Sequence, residues 1–96
     1  IALVKPQFEV GREEVGKNGV VRDPAKHLKA VRKCADYAIE AGLYLTGIDY
    51  SPIKGPKGNI EFLMLLSSNR EKNIEDLENA LEDVVNNAHI NLDKQS

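Results

Sequence analysis

Ser51-Pro52-Ile53-Lys54-Gly55-Pro56-Lys57-Gly58-Asn59 joins two stretches that read as strands: 43–50, rich in Leu, Tyr, Thr and Ile, and the apolar 60–67. Its prolines and glycines mark it as a turn-rich connector. It is short and holds no helical stretch, so it cannot carry the chain across a sheet to a parallel neighbour. The spacing therefore predicts that 60–67 runs antiparallel to 43–50. A third strand opens the chain. Ile1-Ala2-Leu3-Val4 neither alternates nor carries charge, the pattern of a strand buried on both faces. Pro6 ends its ladder by removing a backbone donor.

Two helices fill the remaining length. Asp23-Pro24 is a helix start, an N-cap acceptor followed by proline at the first helical position. Leu28, Val31, Cys34, Ala35, Ala38 and Ile39 then form an apolar stripe opposite Lys26, Lys29, Arg32, Lys33, Asp36 and Glu40. Gly42 is the expected residue just past the end, so this helix spans 25–41. Asn73 is the expected cap of the last helix, whose apolar positions are Ile74, Leu77, Leu81, Val84, Val85 and Ala88. Its opposite face is acidic and solvated. The order β–loop–α–β–β–α suits the closing half of a doubly wound α/β sheet with an antiparallel last strand. A strand buried on both faces needs cover on both sides, and few elements here supply it. Residues 1–96 are therefore expected to be the carboxyl-terminal part of a larger domain.

With 42% hydrophobic and 29% charged residues in 96, the composition is that of a folded domain with a small core. The single cysteine, Cys34, excludes an internal disulfide, fits a reducing compartment, and sits on the apolar stripe as a core residue. The longest apolar run, 62–66, has the length of a strand, far short of the ~18 residues of a membrane span. His27 and His89 stand apart in sequence with no second ligand at metal spacing, so neither is assigned a metal. The net charge of −2 conceals an asymmetry. Residues 1–33 carry eight Lys/Arg against four Asp/Glu, and 34–96 carry five against eleven. An anionic partner would approach from the basic side, at the first strand end, the loop after it and the first helix. Within that loop Gly11, Gly16 and Lys17 match a nucleotide-binding P-loop, but Asn18 replaces its Ser/Thr and no helix follows.

Two charged residues stand where strands end. Lys5 follows the first strand, and in open α/β sheets ligands bind at the carboxyl ends of strands. By position alone a lysine there simply reaches to solvent. Glu61 lies one residue into Ile60-Glu61-Phe62-Leu63-Met64-Leu65-Leu66, where a carboxylate must be solvated, paired or neutralised. Either Glu61 reaches out past the sheet end, or it meets Lys5. They meet only if 60–67 lies beside 1–4 and antiparallel to it.

Lys5-Pro6-Gln7-Phe8-Glu9-Val10-Gly11, Gly19-Val20-Val21-Arg22-Asp23-Pro24, Ser51-Pro52-Ile53 and Gly58-Asn59-Ile60-Glu61-Phe62 closely resemble, in matching order, the TlyA/hemolysin A family. These are FtsJ-like, S-adenosylmethionine-dependent ribosomal RNA 2′-O-methyltransferases. The resemblance implies a Rossmann-like methyltransferase fold and a Lys–Asp–Lys–Glu active-site tetrad. Lys5 matches its second lysine and Glu61 its glutamate. The first lysine, the aspartate, the glycine-rich loop that binds most of the cofactor and an amino-terminal S4-like RNA-binding domain are implied upstream. No cofactor-binding residue is assigned within 1–96.

The chemistry suits these residue types. A ribose hydroxyl is a poor nucleophile until its proton is drawn off or polarised. A lysine accepts that proton only when neutral, a form that desolvation or a nearby cation favours and a nearby carboxylate opposes. Glu61 is thus expected to orient Lys5 or to bind the hydroxyl, and the sequence leaves both roles open. Arg12, Lys17, Arg22 and Lys54 are the residues expected to contact RNA phosphates. The implied partner is ribosomal RNA or a ribosomal subunit in the cytoplasm, with no DNA and no membrane. The rival from another class is a noncatalytic RNA- or ribosome-binding module of the same fold. Retention of Lys5 and Glu61 favours the enzyme. A membrane-lysing protein, taking the hemolysin name literally, would need a span or a strongly basic amphipathic helix, and neither is seen.

Overall fold

A computed structural model describes residues 2–9, 19–69 and 74–92. Strand β1 (Ala2–Val4) leads through Lys5 into a single helical turn, α1 (Pro6–Glu9). Helix α2 (Pro24–Glu40), strand β2 (Tyr44–Tyr50), strand β3 (Phe62–Ser67) and helix α3 (Leu77–Leu92) follow. The three strands form one sheet in the order β1-β3-β2. Central β3 is antiparallel to both neighbours, so the connector after β2 does reverse the chain, and the first and last strands lie side by side. The β2–β3 register slips between Leu45 and Gly47, and there Thr46 Oγ1 donates to the Leu65 carbonyl at 3.1 Å.

Helix α2 begins as its sequence dictates. Asp23 Oδ1 accepts the Ala25 N–H at 2.9 Å, and Pro24, which has no N–H to satisfy, occupies the first turn. It ends where Gly42, at φ +83°, takes the left-handed conformation. Its buried stripe is His27, Ala30, Val31, Ala35 and Ala38. Val4, Leu45, Phe62 and Met64 from the sheet meet this stripe and Leu81, Val84, Val85, Ala88 and Leu92 of α3 in one core. Each fully buried large side chain, such as Phe62 or Leu81, contributes about 1.5–3 kcal/mol. Among the described residues no helix is long and apolar enough to cross a membrane.

Within the described residues strand β1 is covered on one face: Val4 is 1% exposed, Leu3 is 50% exposed, and on the same open face Leu65 is 46% exposed. Both helices lie on the face that carries Val4, Phe62 and Met64, and among the described residues no element covers the other. Three expectations change. Ile39 is exposed rather than part of the α2 stripe, because position 39 lies outside the arc set by His27, Ala30 and Ala38. Residues 6–9, expected as loop, close a helical turn in which the Phe8 N–H donates to the Lys5 carbonyl at 2.9 Å. Helix α3 starts at Leu77, and Asp76 Oδ1, accepting the Asn79 N–H at 3.2 Å, acts as its cap. The expected cap, Asn73, lies outside the described residues.

Candidate active site

The last paired residues of β1 and β3 are Val4 and Phe62. One step further along that antiparallel register, position 5 stands opposite position 61. Lys5 and Glu61 therefore leave the sheet at the same end, from adjacent strands.

Glu61 is 8% exposed, and its Oε2 is buried with no hydrogen-bond partner among the described residues. Burying a carboxyl oxygen without a donor is costly, which leaves this oxygen an acceptor open to a donor beyond the described residues, water included. Lys5 does not supply a donor here. No ion pair joins the two among the described residues, and the Lys5 ammonium lies 6.0 Å from the centre of the Phe8 ring, within cation–π range. Half-buried Lys5 is thus parked on its own short helix, beside the strand end that carries the carboxylate.

The connector builds the floor of the site. The Ser51 N–H donates to the Glu61 carbonyl at 2.8 Å, the Gly55 N–H to the Asn59 carbonyl at 2.7 Å, and the Gly58 N–H to the Gly55 carbonyl at 3.1 Å. Lys57 adopts φ +63°, a left-handed conformation that costs a non-glycine residue roughly 1–2 kcal/mol. Gly58 follows at φ +88° and escapes that cost. Asn59, 2% exposed, fastens this turn to the segment before α2. Its Oδ1 accepts the Val21 N–H and its Nδ2 donates to the Gly19 carbonyl, each at 2.9 Å. Through Asn59, Gly19 and Val21 ahead of α2 are tied to the connector two residues before Glu61.

The four expected phosphate contacts divide. Arg22 is exposed on that fastened segment, and Lys54 is half-buried in the connector. Arg12 and Lys17 lie outside the described residues.

Two features escaped the sequence. His27 and His89 do not stand alone: Nδ1 of His27 lies 2.6 Å from Nε2 of His89, joining α2 to α3. Nε2 of His27 lies 2.8 Å from the Val21 carbonyl, which can only accept, so Nε2 carries a proton and donates. The remaining nitrogen, Nδ1, then accepts from His89 Nε2 in a neutral His27 ring and donates to it in a charged one. His27 is fully buried and stacks edge-on with Phe62, and half-buried His89 meets it from α3. Among the described residues no cluster of three or more His, Cys, Asp or Glu could hold a metal ion. The signal available was the helical spacing of His27 with Val31 and of His89 with Val85, which turns each histidine toward the side of its helix that packs inward. The second feature is the approach of Gly55 to the Glu61 carboxylate, which no local pattern announces.

Cys34 is not a nucleophile in this setting. Burial, and then the nearby Glu9 carboxylate, push its thiol up to about 11, so at neutral pH it stays protonated. On the surface Arg32 pairs with Glu78 and ties α2 to α3. The pairing raises the guanidinium pKa and lowers that of the carboxyl, so both stay charged.

In open α/β sheets a nucleotide-type cofactor sits on a close glycine turn between a strand and a helix. Neither strand-to-helix junction, after β1 or after β3, contains the glycine that a close turn around such a group requires.

Residues 1–68 match the sequence profile of the FtsJ-like methyltransferases. The chain is 40% identical over 88 residues to the 16S/23S rRNA (cytidine-2′-O)-methyltransferase TlyA of Mycobacterium tuberculosis, a match covering 92% of this chain and 32% of that protein. It is 50% identical over 66 residues to a Bacillus subtilis protein provisionally named rRNA methyltransferase YqxC, covering 69% of this chain and 24% of that one. Among solved structures, a provisionally named hemolysin from Streptococcus thermophilus superposes with a TM-score of 0.87 at 41% identity, over 98% of this chain and 34% of that one. The chain thus spans between about a quarter and a third of the length of these relatives.

Proposed function

The chain belongs to the FtsJ-like methyltransferase family, and from that premise we propose that it is the closing segment of a Rossmann-like catalytic domain that methylates ribose 2′-hydroxyls of ribosomal RNA. One observation carries the reading: a buried carboxylate oxygen without a partner among the described residues, on Glu61, at the strand end that adjoins Lys5. A noncatalytic RNA-binding module gains nothing from keeping such an oxygen buried. An enzyme gains an acceptor ready for a lysine or for a substrate hydroxyl.

Within this proposal Lys5 swings from the Phe8 ring toward the sheet end and, in the neutral form that the first lysine of the implied tetrad favours, takes up the proton of the 2′-hydroxyl, while Glu61 orients it. S-adenosylmethionine supplies the methyl group and is bound mainly by the longer protein outside residues 1–96. The open apolar face bearing Leu3 and Leu65 supports a larger domain, since a sheet of this kind is covered on both faces. An S4-like RNA-binding domain belongs to the same upstream region. Arg12, Lys17, Arg22 and Lys54 contact RNA phosphates, and the partner is ribosomal RNA or a ribosomal subunit in the cytoplasm.

The test uses the full-length protein, radiolabelled S-adenosylmethionine and ribosomal RNA. Label should enter the RNA and appear, after alkaline hydrolysis, in dinucleotides whose linkage a 2′-O-methyl group protects. Label in mononucleotides, or none in RNA, overturns the proposal.

A further inference from the structure

Gly55 sits midway along the connector, where paired hydrogen bonds with Asn59 and Gly58 fix its backbone. Its Cα faces the Glu61 carboxylate. A Cβ on Gly55 would overlap Oε2 and lie 2.6 Å from Cδ and 3.1 Å from Oε1, where contacts under 3.0 Å are essentially never tolerated. The φ of Gly55 is not among the positive values, so an alanine backbone is allowed there. Glycine is required at this position by the carboxylate and not by the turn.

We propose that Gly55 is a positioning residue for Glu61: its missing side chain is the space in which the carboxylate is held toward the end of the Lys5 strand. The inference rests on the methyltransferase reading of Glu61. The backbones on both sides are fixed, at Gly55 by its own bonds and at Glu61 by the Ser51 N–H on its carbonyl. What can give way is the carboxylate, the free end of a flexible side chain. A methyl at position 55 therefore displaces Glu61 and leaves the fold intact. Misplacing an aligned group by about 1 Å costs on the order of 10²-fold in rate. Stability should hold or rise slightly, because alanine restricts the unfolded chain more than glycine does.

The experiment is a double-mutant cycle in the full-length protein. Gly55→Ala should lower kcat for methyl transfer to RNA about 100-fold, with KM for RNA, cofactor affinity and Tm unchanged. In a Glu61→Ala background the same substitution should cost nothing more, since no carboxylate remains to be displaced. A Gly55→Ala enzyme at the parent rate, or one whose rate falls by the same factor in both backgrounds, overturns the proposal. If the parent protein transfers no methyl group to RNA, only the methyltransferase reading falls. The contact is then judged from crystal structures of the parent and Gly55→Ala: a displaced Glu61 carboxylate sustains it, and an unmoved one overturns it.

Discussion

Asn59→Ala should loosen the joint between the connector and the start of α2. The side chain is 2% exposed and makes two long-range hydrogen bonds, one from the Val21 N–H and one to the Gly19 carbonyl. Truncation removes both and leaves the Val21 amide buried without its acceptor, Val21 itself being 2% exposed. A net bond contributes about 0.5–1.5 kcal/mol and an orphaned buried donor costs about 1–3, so the loss should be roughly 2–4 kcal/mol. That corresponds to an opening equilibrium shifted by roughly 30- to 1,000-fold. Amide hydrogen exchange in the full-length protein reads it directly, as faster exchange in the peptide that carries Val21 while amides of α3 keep their protection. Asn59→Asp should fall between parent and Ala. It keeps the acceptor for Val21 but turns an oxygen toward the Gly19 carbonyl. A change in Val21 exchange under about threefold in Asn59→Ala would show that these two bonds do not hold the joint.

Cys34 should react with iodoacetamide at pH 8 about two orders of magnitude more slowly in the native protein than after denaturation, because a thiol pushed up to about 11 is almost wholly protonated there. The sign for stability follows: the contribution of this thiol is complete below its unfolded value near 8.5 and disappears as pH rises through about 11, which denaturation midpoints across that window check. Arg12, Lys17 and Arg22 replaced by Ala should weaken RNA binding and flatten its salt dependence, by roughly 0.7–0.9 of a unit in the log–log slope for each phosphate no longer neutralised. An unchanged slope would return the region to a solvated basic loop.

The parts of this fold that were legible from sequence are those fixed by short-range chemistry. A connector with prolines, glycines and no helix can only reverse the chain, and β2 and β3 are antiparallel. Asp23-Pro24 and Gly42 bound α2 because the cap and the left-handed residue are local requirements. The adjacency of β1 and β3 stood in the sequence only as a condition, that Lys5 and Glu61 share a sheet end if the two strands are antiparallel neighbours, and the strands are so paired. What was not legible depends on how elements cross. An all-apolar strand does not tell which of its faces this chain's own helices cover, and that they take the Val4 face and leave Leu3 open follows only from the packing. The contact of His27 with His89 exists only because α2 and α3 pack together, and the seat of Glu61 against Gly55 only because the connector folds back over its own strand.

Whether the paired strand ends form a methyl-transfer site is decided by single-turnover methylation of ribosomal RNA with the full-length Lys5→Ala protein. If Lys5 handles the hydroxyl proton, the rate should fall on the order of 10²–10⁴-fold while S-adenosylmethionine binding is preserved. Lys5→Arg should fail as well, since a guanidinium does not give up its proton at neutral pH. Methylation by Lys5→Ala at the parent rate would mean that the proton is handled elsewhere and that the strand ends are not the site.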